Sequence, residues 1–95
     1  MYISKQDAIQ IAKREISRCN IRLPEQYRVD ATRGTIVAES GPDIPVYIVS
    51  FNIPKGGKQI PFYDVEVDPC NGKVRKIGDF RNSPIFRLSD QRARY

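Results

Sequence analysis

YDVEVDPCNGKVRKI, residues 63–77, decides how the chain folds. Tyr63, Val65 and Val67 alternate with Asp64, Glu66 and Asp68, the pattern of a half-buried strand. Pro69-Cys70-Asn71-Gly72 is a turn, with Asn-Gly able to supply positive φ angles. Val74 to Ile77 returns as a second strand. If the turn is those four residues, Asp68 faces Lys73 and Glu66 faces Arg75. Opposite charges so placed stabilise a sheet by roughly 0.2–1 kcal/mol per pair. Further out the same register sets Val65 against Lys76 and puts Ile77 on the charged face. A bulge near Arg75 or Lys76 repairs this.

The acids and the thiol in this stretch also invite a chemical reading. Asp64, Glu66 and Asp68 on one strand face could in principle hold a hard cation. They lack the loop and the further oxygen ligands that calcium needs, and basic partners opposite favour a charge ladder. The chain has two cysteines, Cys19 and Cys70, and no histidine. A zinc site of the usual Cys/His kind is disfavoured, as is a His-activated nucleophile. Cys70 in a turn is expected to be exposed and Cys19 buried on a helix, which argues against a disulfide between them. These considerations point to a protein that is not an enzyme and carries no cofactor or metal.

Upstream, one helix is expected from Ser4 to about Arg18. Ser4 and Asp7 have the spacing of a capping box, and Asp7 suits the helix dipole. Ala8, Ile9, Ala12, Ile16 and Cys19 recur at helical spacing as one buried stripe with Ile11 beside it. Lys5, Gln10, Lys13, Arg14, Ser17 and Arg18 fall mostly on the wet side. Asn20 is a helix stop and Pro24 closes the exit. Tyr27, Val29 and Ala31 begin a strand, which Gly34 is expected to interrupt as a turn or bulge before a short run over residues 35–38. VYIVSFNI, residues 46–53, is apolar on both faces and so reads as a central strand. PKGGKQIP, residues 54–61, reads as an exposed loop; its Gly-Gly lacks the full phosphate-loop pattern. Ile85, Phe86 and Leu88 could add a short edge strand or pack across the sheet.

Ninety-five residues allow one domain. An apolar share of 40 % and a charged share of 28 % are ordinary for a soluble globular domain. No apolar run approaches the ~20 residues of a membrane helix, and Lys5, Gln6 and Asp7 break any signal-peptide pattern. The expected location is therefore the cytoplasm, or the envelope or exterior if an export signal precedes this sequence. The fold class is α+β: an N-terminal amphipathic helix on an antiparallel sheet of about four strands. Residues 1–80 form the domain and residues 81–95 a basic extension, partly ordered at most.

The net charge is +5 and sits toward the end. From Lys73 onward there are seven bases (Lys73, Arg75, Lys76, Arg81, Arg87, Arg92, Arg94) against two acids (Asp79, Asp90). Such an arm either keeps the protein soluble or meets an anionic partner. Tyr27, Tyr47, Phe51 and Tyr63 match the sheet face that the helix must cover, so they are not placed to stack RNA bases. Nucleic-acid binding through the tail ranks behind protein binding. The candidate contact residues are Lys55, Lys58, Arg75, Lys76, Arg81 and Arg87.

The order of these features resembles the PepSY domain. Asp7, Ala8, Ile11 and Ala12 match in the helix, and Tyr47, Val49 and Phe51 in the long strand. Tyr63, Val65, Val67, Asp68, Gly72, Lys73 and Val74 match the hairpin form Tyr-x-Val-x-Ile/Val-Asp-x-x-x-Gly-Lys-Val. The resemblance spans about Ile3 to Ile77. It implies a non-enzymatic domain that binds and inhibits another protein, such as a peptidase, by occluding its surface, or that takes part in sensing at the cell envelope. The same helix-then-hairpin order is similar to small cytoplasmic immunity proteins that neutralise a cognate bacterial toxin. On either resemblance the partner is a protein.

Overall fold

Ser4 opens the helix as its sequence demands. Its Oγ accepts a hydrogen bond from the Asp7 N–H at 3.1 Å, and the Ser4 N–H donates to Asp7 Oδ2 at 3.3 Å. Two donors that a helix start leaves unpaired are thus satisfied reciprocally. In this computed structural model, which describes residues 2–36 and 40–80, helix α1 runs Lys5–Arg18. Asn20 stops it in the left-handed region at φ 57°. The Ile21 N–H then reaches the Ile16 carbonyl, and the Asn20 N–H that of Ser17. These two bonds make a Schellman cap. The buried stripe is Ala8, Ala12 and Ile16, with Ile9 and Ile11 partly buried. Cys19 is exposed, contrary to expectation. It is the C-cap residue, where the chain leaves helical geometry, so the stripe ends one turn earlier.

Four strands follow among the described residues: β1 Arg28–Ile36, β2 Ile44–Lys55, β3 Lys58–Val67 and β4 Val74–Asp79. They pair antiparallel in chain order, so β2 and β3 are central and β1 and β4 are edges. The helix covers one sheet face. Tyr47, Val49 and Phe51 of β2 and Tyr63, Val65 and Val67 of β3 lie there, packed with Ala8, Ala12 and Ile16. The aromatics are core residues, as their spacing implies. The N-terminus is tied down twice: the Ile3 N–H donates to the Pro69 carbonyl at 2.8 Å, and the Tyr47 hydroxyl donates to the Ile3 carbonyl at 2.9 Å.

Two strand boundaries differ from expectation. Gly34 does not break its strand; β1 runs through it, paired to Val46. Residues 54–61 are not a loop. Lys55 pairs with Lys58 across a two-residue Gly56-Gly57 turn with φ 56° and 77°, the positive values that tight hairpins require. Prolines are tolerated here because this hairpin outruns its neighbours. The pairing of β1 with β2 begins at Asn52, and that of β4 with β3 at Tyr63. Neither Pro54 nor Pro61 therefore lacks a donor that a neighbouring strand needs. The register also shifts between Phe51 and Asn52, leaving Phe62 as an extra residue on β3. That bulge changes the strand's phase. Phe62 and Tyr63, though adjacent, are both buried and meet edge to face at 5.3 Å. Ile85, Phe86 and Leu88 lie outside the described residues.

Candidate functional site

The three acids of the hairpin have different surroundings. Asp68 shapes the turn: its Oδ1 accepts from the Cys70 N–H at 2.8 Å, its N–H donates to the Lys73 carbonyl, and its carbonyl accepts from the Gly72 N–H. Asn71 Oδ1 accepts from the Lys73 N–H at 2.9 Å. Gly72 supplies the turn's positive φ, 73°. Glu66 is paired with Lys76, not with Arg75. The expected bulge is present and explains this: the register shifts between Glu66 and Val67, Arg75 is the extra residue, and Val65 returns to face Ile77. Asp64 lies over Gly78 on the helix-free face, beside Glu66. Burial, and then the Glu66 charge, push its carboxyl above the ordinary value, while the Gly78 N–H and Lys76 pull the other way. Among the described residues no three metal-ligating groups gather.

The thiols do not meet. Cys19 and Cys70 are both exposed and unbridged. The Cys19 thiol donates a long hydrogen bond to Glu15 Oε1 at 3.7 Å. Glu15 is also bound by the Arg18 guanidinium, whose hydrogen bonds hold the carboxyl below its ordinary value.

The basic candidates divide. Lys55 and Lys58 flank the tip of the β2–β3 hairpin. Arg75 and Lys76 sit toward the other end of β3, about 25 Å away at the rise of a strand. Lys76 shares the helix-free face with Glu66, whereas Arg75 occupies the bulge. Arg81 and Arg87 lie outside the described residues. The fold does not bring the described four into one patch.

It does bring together a different set. Ile11, Arg14, Glu15 and Arg18 on α1 face Gly72, Lys73 and Val74 across an open groove of about 520 Å³. Arg14, Arg18 and Lys73 escape a reading of the chain as a string because each looks like an ordinary wet residue. The one available signal is Ile11, an apolar residue beside the stripe with bases three and seven positions on, the spacing of one helix face. That Lys73 lies opposite is a tertiary fact.

No helix among the described residues is long and apolar enough to cross a membrane. Comparison with curated proteins and with solved structures gives no match. The family model for PepSY, the peptidase propeptide and YPEB domain, matches residues 2–77. This span takes in α1, β1, β2 and β3 whole and enters β4. Domains of this kind are propeptide or inhibitory modules that bind proteins rather than catalyse. With its capped helix, its antiparallel sheet and the Tyr63–Val74 hairpin, the chain belongs to the PepSY family.

Proposed function

We propose that this chain is a non-catalytic module that binds another protein and acts by covering part of that protein's surface. The span of the family match carries the reading: it takes in nearly all of the described fold. The hairpin is consistent with it: Asp68 shapes the turn and Glu66 lies across from Lys76. The partner is a peptidase or, as an immunity protein's partner would be, a toxin. Affinity capture with the full chain, followed by titration of the captured protein's activity, tests this. Activity should fall to an end point near one chain per partner. If it does not fall, or if the chain is degraded as a substrate, the reading is wrong.

A further inference from the structure

The groove described above lies where α1 passes the β3–β4 turn: Gly72 and Lys73 belong to the turn and Val74 is the first residue of β4. Its floor is aliphatic: Ile11 and Val74 are half-buried apolar residues. Between them the backbone comes close, since a Cβ at Gly72 would stand 3.1 Å from Ile11 Cδ1. The walls are cationic. Arg14 and Arg18 project from one side and Lys73 from the other. The single acid, Glu15, is bound to Arg18. Arg14 and Lys73 are both exposed. An apolar floor under uncompensated positive charge suits a ligand with the reverse pattern: an aliphatic side chain flanked by carboxylates.

We propose that the groove between α1 and the β3–β4 turn receives an extended acidic segment of the partner protein. An aliphatic side chain of the segment sits on Ile11 and Val74, and its carboxylates are held by Arg14 and Lys73. The proposal rests on the protein-binding reading and names the chemistry that reading leaves open. Two alternatives fit less well. A second copy of this chain brings a net charge of +5 to an already positive wall. Single-stranded nucleic acid wants aromatic faces for its bases, and the groove's lining contains none.

The test is an NMR titration of the isotope-labelled full chain with a capped peptide as long as β4, alternating glutamate and valine. Amide shifts should centre on Ile11–Arg18 and Gly72–Val74. Arg14→Glu with Lys73→Glu should weaken binding about tenfold or more, a change of about 1.4 kcal/mol. Lys5→Glu with Arg28→Glu makes the same charge change at exposed sites elsewhere; each pair takes the net charge from +5 to +1. This second pair should bind within about twofold of wild type, the weak effect expected of distant screened charges. All four positions are exposed, so the fold should survive, as retained amide dispersion would confirm. Equal losses in both variants would overturn the proposal. So would equal binding of an all-glutamate peptide, displacement of the peptide by an equal concentration of oligothymidylate, or shifts mapping elsewhere. Undiminished partner capture by Arg14→Glu/Lys73→Glu would also overturn the groove while leaving the protein-binding reading intact. Failure of wild type to capture any protein would instead count against that reading.

Discussion

Gly78 lies under Asp64, and the gap between them sets the cost of adding a methyl group. A Cβ at Gly78 would stand 2.3 Å from Asp64 Oδ1 and 3.2 Å from its Cγ. Ordinary contact begins near 3.4 Å, so the carboxylate must retreat by about 1.1 Å (3.4 − 2.3). That retreat breaks the hydrogen bond that the Gly78 N–H donates to it. The clashing oxygen is the tip of a half-buried side chain that can turn away, so overpacking costs about 1 kcal/mol, the low end of its range, and the bond to a charged acceptor adds about 1 more where water partly replaces it. Against this, Gly→Ala lowers the entropy of the unfolded chain by about 0.4–1 kcal/mol. Gly78 is not among the positive-φ glycines, so its backbone accepts alanine. Gly78→Ala should therefore destabilise by about 1–2 kcal/mol, which lowers Tm by roughly 5–15 °C for a domain of this size. The assay is thermal or urea unfolding of wild type, Gly78→Ala, Asp64→Ala and the double variant. With the carboxylate gone the methyl group has room. Gly78→Ala in the Asp64→Ala background should cost less than about 0.5 kcal/mol, giving a coupling of about 1–2 kcal/mol. A neutral single variant, or one equally costly in both backgrounds, would refute the reasoning.

Two further outcomes concern single side chains. Ser4→Ala removes the acceptor for the Asp7 N–H; it should cost about 1 kcal/mol by thermal melting, and a change under about 0.3 kcal/mol would mean the box does not hold the helix start. Asp64 bears on pH. Its folded pKa is raised above the ordinary 3.8, so the folded state holds the proton more tightly than the unfolded chain does. Between those two values stability falls as pH rises. Asp64→Asn should track wild type near pH 3 and become the more stable of the two as pH climbs past that window; a constant gap across the titration would show that burial of the charge costs nothing.

Short-range patterns were the legible part of this chain. Ser4 and Asp7 announce the helix start, Ala8, Ala12 and Ile16 its buried face, and Asn20 its stop, because each signal spans a turn or two. The alternation from Tyr63 to Val67 and the bulge at Arg75 were legible too, since the register demanded one extra residue there. The misread parts depend on neighbours that a string does not display. Pro54 and Pro61 signal a loop until one knows that the β2–β3 hairpin extends past both flanking strands. Gly34 looks like a break, yet a Cβ there would make only an ordinary 3.6 Å contact with Ile48, so nothing forces the strand to end. Phe62 breaks the alternation of β3 because the bulge changes phase beside it. The placement of the bases is hidden for the same reason: Lys58 and Lys76 sit toward opposite ends of β3, while Arg14 and Lys73 are far apart in sequence and face one another.

The bond from Ile3 to the Pro69 carbonyl has a consequence for the order of folding. Each strand pairs with its neighbour in sequence, so the sheet can assemble from hairpins, with little chain to close at each step. Docking the front of the helix onto Pro69 instead joins positions 66 residues apart (69 − 3), a far longer closure than any hairpin needs. On a ribosome the helix leaves before the four strands, yet its anchoring carbonyl is made 66 residues after Ile3. Until then Ala8, Ala12 and Ile16 have no completed sheet to cover. Of these five elements the helix is made before the others, and its front can be seated only once Pro69 has followed.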